Sequence, residues 1–319
     1  MEILHLSDLH FVDGDTVSRV ETHGHPPFGN GAVLERLDRL QDLLLRADVV
    51  VLSGDTTDSG TEVQWQHFLN AIGRFPGLCE KILLVPGNHD LNHVSPGLRV
   101  VQTDNSNFDG RQQRTKNFLK VWAQLGRNLR SGAGVSVAGC DIDGYFPEVQ
   151  EVMLDAAGSL AFISINTVAP SINTLGNAVG RFITGPVLSA VQKYQHQGSA
   201  VVIVGHHHPL PHFDSPAPNR SALERLSAIA QGPFMEAIDG RHFLSHLSES
   251  LVAPALYLHG HKHIFRRHVD QDCGLYIAGA PSLLFGDEST RNEGRVAAVH
   301  RVTRERGYVE FISMPVDTN

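Results

Sequence analysis

The chain has 319 residues, 41% hydrophobic and 19% charged, which suits one or two globular domains and excludes a disordered or fibrous class. Lys and Arg number 26 against 34 Asp and Glu, and the net charge of -8 disfavours sequence-blind binding to nucleic acid, which calls for a basic surface. Three widely spaced cysteines, Cys79, Cys140 and Cys273, indicate neither a disulfide framework nor a thiolate zinc site.

Met1 to Leu6 runs straight into a strand pattern with no basic region or apolar export segment, and no apolar run nears the roughly 18 residues of a membrane helix. The expectation is cytoplasmic residence without membrane contact. Ile3 to Leu6 reads as a buried strand. Ala32 to Arg46 has apolar residues at 33, 34, 37, 40, 43 and 44, the spacing of a helix, with Asn30 or Gly31 as its cap. Asp48 to Leu52 and Lys81 to Val85 predict two further strands around a helix over Thr61 to Ile72. This β-α-β-α-β rhythm argues for a layered α/β fold.

The stretch from about 92 to 132 is polar, with one helix near Gln113 to Leu125 and the outline of a cap or insertion. Strands are predicted over Val135 to Ala138, Val149 to Leu154 and Leu160 to Ile165. Gly185-Pro186 opens a helix to about Gln195, with Pro at the first helical position. Ala200 to Val204 is another buried strand, and the Pro-rich residues 205 to 220 form a loop. Helices around 221 to 230 and 242 to 249 precede strands over Ala255 to Leu258, Ile264 to Val269, Leu275 to Ala278, Arg295 to Arg301 and Tyr308 to Met314. The simplest organisation is one domain, 1–319, of two stacked sheets.

Nineteen histidines are present, and many fall in short clusters that follow apolar strands. The first strand leads into Ser7-Asp8-Leu9-His10, the second into Ser53-Gly54-Asp55-Thr56-Thr57-Asp58 and the third into Pro86-Gly87-Asn88-His89-Asp90. Later strands lead into Gly205-His206-His207-His208-Pro209 and His259-Gly260-His261-Lys262-His263. Loops at the carboxyl ends of strands are where layered α/β proteins build their sites. Gly54, Gly87, Gly205 and Gly260 are read as sharp backbone turns beside the ligands. Any one piece alone reads as a cap or a turn, but five in order do not. A mixed His, carboxylate and Asn set suits Mn, Fe, Zn or Co better than Ca or Mg, which prefer oxygen shells.

These five pieces resemble the signature of the calcineurin-like metallophosphoesterase superfamily over residues 3 to about 285. The HHHPLP stretch from His206 to Pro211 is most similar to bacterial class III cyclic-nucleotide phosphodiesterases. The resemblance implies a four-layer α-β-β-α sandwich and a phosphodiester hydrolysed by metal-activated hydroxide. It implies two divalent metal ions, with Asp8, His10 and His263 holding the first, Asn88, His206 and His261 the second, and Asp55 bridging them. His207 is the alternative to His206, and His208 supports the loop. His89 corresponds to the residue that touches the substrate phosphate or leaving group. Asp90 is placed to orient its imidazole, and Asp58 to stabilise the loop.

Substrate is less legible. The loop from Phe11 to Gly31, with His23 and His25, is a candidate pocket wall. Arg111, Arg114, Lys116, Lys120, Arg127 and Arg130 would attract an anion but also read as a solvated helix face. The leading expectation is a small phosphoester substrate such as a cyclic nucleotide, with room for a homo-oligomer. A nuclease or a nucleotide or lipid pyrophosphatase is the alternative enzyme, and a protein-binding scaffold the alternative without catalysis.

Overall fold

The computed structural model describes residues 1–14, 29–91, 105–129, 141–155, 158–168, 181–209, 239–270, 273–287, 292, 294–305 and 308–318. Among them are eleven strands: β1 Glu2–Leu6, β2 Val49–Leu52, β3 Ile82–Leu84, β4 Glu148–Asp155, β5 Gly158–Ser164, β6 Ala200–Val204, β7 Ala255–His259, β8 Arg266–Asp270, β9 Leu275–Gly279, β10 Arg295–Glu305 and β11 Tyr308–Asp317. The helices are α1 Asn30–Arg39, α2 Gln41–Arg46, α3 Glu62–Ile72, α4 Asn88–Leu91, α5 Asn105–Trp122, α6 Arg181–His196 and α7 Gly240–Ser250. The expected strand over 135–138, the helix over 221–230 and most of the 11–31 loop lie outside the described residues.

Two mixed sheets form, ordered β11-β10-β1-β2-β3 and β4-β5-β6-β7-β9-β8. In the first, β1, β2 and β3 run parallel and β10 and β11 are antiparallel additions; in the second, β5, β6, β7 and β9 are parallel and β4 and β8 are antiparallel edges. Side chains alternate between faces along a strand, so β5 and β6 each serve two cores. Leu160, Phe162, Val202 and Val204 join Ile3, Val50 and Leu83 of the other sheet in one core. Ile163, Val201 and Ile203 pack outward on Val187 and Val191 of α6 and Phe243 and Leu247 of α7. Burial on both faces explains why these strands read as unbroken apolar runs. The expected sandwich of two sheets flanked by helices is the fold observed.

Local detail departs from expectation in four places. The helix over 32–46 is two helices: Leu40 sits at φ -90°, ψ 5°, and its N–H is shared between the Arg36 and Leu37 carbonyls, tightening the turn there. The N-cap is Gly29, because the Asn30 amide is bonded to both backbone groups of Val12, at 2.9 and 3.0 Å. Pro186 lies inside α6, which starts at Arg181, rather than at its first position. Helix α5 begins at Asn105 and is fastened down by Phe118, whose ring lies 5.8 Å from Trp65 of α3. The helix expected over Thr61 to Ile72 begins at Glu62, with Thr61 as its cap, the side chain accepting from the Gln64 N–H.

One polar row crosses the first sheet. Ser53 Oγ lies 2.8 Å from His5 Nε2, His5 Nδ1 is 3.1 Å from His300 Nε2, and His300 Nδ1 is 2.7 Å from Ser313 Oγ. Both imidazoles are fully buried, and burial holds each well below the ordinary histidine range, His300 at about 3.

Candidate metal centre

The five histidine- and aspartate-bearing loops all leave the carboxyl ends of β1, β2, β3, β6 and β7, and the fold gathers them at one edge of the sandwich. Among the described residues, only five other than glycine have positive φ: Asp8 (55°), His10 (50°), Asp55 (48°), His261 (67°) and His263 (51°). All five are residues marked as ligands in the sequence. This conformation costs a non-glycine residue of order 1–3 kcal/mol and persists only where surrounding contacts enforce it. Here they do. Asp8 N–H donates to the Gly54 carbonyl, His10 N–H to the Asp55 carbonyl, and the Asp8 carbonyl accepts from Ser282 Oγ at 2.9 Å.

Of the four glycines, only Gly54 has positive φ, at 96°. The others are there for space rather than for a turn. A Cβ on Gly87 would meet Asp55 Oδ1 at 2.2 Å, one on Gly205 the Tyr257 hydroxyl at 2.6 Å, and one on Gly260 the Ser7 Oγ at 1.7 Å.

Two ligand groups converge. In the first, His263 Nε2 lies 3.3 Å and His10 Nε2 3.9 Å from Asp8 Oδ1. In the second, His206 Nε2 lies 3.1 Å from Asn88 Oδ1, 3.1 Å from His261 Nδ1 and 3.3 Å from Asp55 Oδ2. Asp55 also falls with Asp8 and His206 in a cluster whose ligand atoms are all within 4.8 Å, so it stands between the two groups. Asp8, His10, Asp55 and His206 are buried, while Asn88, His89 and His261 form a partly exposed rim.

Hydrogen-bond accounting separates His206 from His207. His206 Nδ1 is 2.7 Å from the Ser53 carbonyl, an acceptor only, so Nδ1 carries the proton and Nε2 is left to face Asn88, Asp55 and His261. The Thr167 hydroxyl accepts from the backbone N–H groups of both His206 and His207 and lies 2.8 Å from His207 Nδ1. His207 Nε2 is buried without a hydrogen-bond partner and falls with His206 and His261 in a cluster of possible ligand atoms, so it stays the alternative to His206. His208 packs its ring 4.3 Å from that of His259, away from both groups.

The electrostatics favour positive charge between these residues. Burial alone would raise the Asp8 carboxyl, but His263 and His206 override it and hold the group well below the usual carboxylate range. Asp55 behaves alike: burial opposes ionisation, and His206 and His89 outweigh it. Burial would lower His206, yet Asp55 beside it lifts the imidazole to about 9. Burial, then the neighbouring His89, lowers His10 to about 4, and burial, then His206, lowers His261 to about 3. Asp8 Oδ1 and both His10 ring nitrogens are buried without a hydrogen-bond partner. Buried lone pairs from carboxylate and neutral imidazole, in a site that favours positive charge, are a donor set that fits divalent transition-metal ions.

The acid/base candidates part company. His89 Nδ1 lies 2.9 Å from the Asp58 carbonyl and its backbone N–H donates to Asp55 Oδ1 at 2.8 Å. The orienting partner of His89 is thus the Asp58 backbone and not Asp90. The Asp90 carboxylate instead accepts from Thr57 N–H and Oγ1, Gly87 N–H and Thr56 N–H, tying the Asp55 and Asn88 loops together. Burial and the nearby Asp55 raise it to about 6 in spite of those donors.

Three contributors were not anticipated from the sequence: Thr167, Ser282 and Phe285, whose ring lies 5.8 Å from His10 and 5.3 Å from His263. Thr167 and Ser282 follow β5 and β9, so the strand-end rule that marked the other loops applies to them too. The expected basic face does not act as a unit. Arg114 donates to the Leu91 carbonyl, Lys120 pairs with exposed Glu62, Lys116 and Arg127 are exposed, and Arg130 lies outside the described residues.

A family model for calcineurin-like phosphoesterases matches residues 1–265. Among solved structures, a dimetal phosphatase from Danio rerio aligns with a TM-score of 0.54 over 99% of this chain and 98% of its own, at 13% identity. The NAD nucleotidase of Haemophilus influenzae gives 0.49 over 99% of this chain and 50% of its own, at 12% identity. A calcineurin-like phosphoesterase from Bacillus subtilis gives 0.47 over 100% and 90%, at 11% identity. At such identities the likeness concerns the fold. No curated protein matches the chain.

Proposed function

Because the chain belongs to the calcineurin-like phosphoesterase family, we propose that it is a dinuclear metallohydrolase of a small phosphodiester, a cyclic or other nucleotide among the candidates. The observation that carries this reading is the convergence of Asp8, His10 and His263 in one cluster and of Asn88, His206 and His261 around the His206 Nε2 atom, with Asp55 beside Asp8 and His206 and with buried lone pairs on Asp8 and His10 that no hydrogen bond takes up. Asp8, His10 and His263 would hold one ion, Asn88, His206 and His261 the other, and Asp55 both. Bound there, divalent cations supply Lewis-acid polarisation of the phosphoryl group and activate water at neutral pH.

The chain's own groups do the rest. The Ser53 carbonyl holds the His206 tautomer. The Asp58 carbonyl accepts the His89 Nδ1 proton and leaves Nε2 on the partly exposed rim, where it would meet the ester and, when protonated, donate to the leaving oxygen. Asp90 keeps the loops of Asp55 and Asn88 in register. The full span 1–319 would act as one domain. The preference for a diester rests on the likeness of the His206 to Pro211 stretch to class III cyclic-nucleotide phosphodiesterases.

Hydrolysis of bis-(p-nitrophenyl) phosphate and of p-nitrophenyl phosphate, with Mn and with chelator, tests this. Chelator-sensitive turnover favouring the diester is expected. A monoester preference would overturn the diester assignment, and inactivity on both with several metals would point to a scaffold. Asp55→Ala and Asn88→Ala should each abolish metal-dependent turnover while leaving the far-UV circular dichroism unchanged.

A further inference from the structure

We propose that the outer face of α7 carries a separate, mononuclear site for an imidazole-binding divalent transition ion, formed by His242 and His246 with Glu249 behind them. His242 and His246 stand four residues apart, one helical turn, and so project side by side from one face. Their Nε2 atoms lie 3.1 Å apart and their ring centroids 4.3 Å apart. Two nitrogens each about 2.0–2.1 Å from one ion, at the angles of tetrahedral or octahedral coordination, are themselves about 2.9–3.4 Å apart. The pair already has the bite of a bidentate ligand.

The second observation concerns the far side of one ring. His246 Nδ1 faces Glu249 Oε2 at 3.8 Å. At this distance the carboxylate is beyond a direct hydrogen bond, but its charge favours the proton on Nδ1 and leaves the Nε2 lone pair directed at His242. In the metal-free protein the 3.1 Å contact is an imidazole–imidazole hydrogen bond, and the proton between the rings is what an ion displaces. His246 and Glu249 are 43% and 72% exposed at their side chains, so solvent or another molecule can complete the coordination. The opposite face of α7 is buried through Phe243 and Leu247, which fixes the helix on the sheet. Imidazole donors without thiolate or a direct carboxylate suit Zn, Ni or Cu(II) rather than Mg or Ca.

The experiment is zinc stoichiometry by mass spectrometry on wild type and on His242→Ala and His246→Ala, after equilibration with micromolar Zn and desalting. Each variant is expected to hold one Zn per chain fewer than wild type. The difference is independent of how many ions the proposed catalytic centre binds, so failure there does not mimic failure here. Glu249→Gln should weaken the extra site only a few-fold, as expected for an exposed charge pair. Equal Zn content in wild type and both alanine variants would overturn the site. Both changes place alanine on an exposed helix face, so the fold is not at risk, and Mn-supported turnover should be unaltered.

Discussion

Asp8, His10, Asp55, His261 and His263 share a backbone conformation that glycine would adopt more cheaply, and under the proposed function glycine could replace none of them, since the side chain would be the ligand. The strain is met by neighbours that come very close. Gly260→Ala would drive a methyl into Ser7 Oγ and to 2.9 Å from Asp8 Oδ2. It should lower bound Mn and turnover together, and normal metal content by mass spectrometry would show that the close approach is dispensable. Asp90→Ala tests a different kind of residue. It strands buried N–H donors on Thr57 and Gly87, at about 1–3 kcal/mol for each unsatisfied group. Urea denaturation should show that loss even in metal-free protein, where a group acting only in catalysis would leave stability unchanged.

At the scale of elements, the row from Ser53 through His5 and His300 to Ser313 joins β1, β10 and β11 to the loop after β2. Its inner end is the residue whose carbonyl sets the tautomer of His206. His5→Phe fills the space without a hydrogen bond to Ser53, so affinity for the second metal should fall 10–100-fold, as on loss of an outer-shell partner. Calorimetric titration with Mn measures it. Unchanged affinity would mean the row serves the sheet alone. Helix α5 shows the same economy: Arg114 closes the carbonyl end of α4, which holds Asn88 and His89, by donating to Leu91 at 2.9 Å.

At the scale of the whole molecule, a buried histidine contributes to the pH dependence of stability. His300 titrates near 3 in the folded chain, because of burial, against an ordinary 6.5. Between those values the unfolded chain holds a proton that the folded chain lacks. The His300 contribution is therefore full above pH 6.5 and declines as pH falls toward 3, by up to about 1.4 kcal/mol per pH unit for one buried imidazole. Urea titrations of chelator-treated protein at pH 7 and pH 5 should show this decline, and His300→Leu should make it shallower. An equal slope in the variant would assign the acid sensitivity elsewhere.

Local sequence was enough for the strands among the described residues and for the five loops of histidine, aspartate and asparagine that follow them, because apolar runs and the polar residues that end them are properties of neighbouring positions. It determined the layered α/β class and the side-chain types that meet at the candidate centre. What it left open depended on partners distant in the chain. The surroundings that distinguish His206 from His207 are the Ser53 carbonyl, 153 positions away, and the Thr167 hydroxyl. The true partners of His89 and Asp90, the close approaches at Gly87, Gly205 and Gly260, and the left-handed backbone of five ligands arise only when separate loops are packed together. A proton's position on a ring and the room beside a glycine are set by tertiary contacts, and no local pattern encodes them.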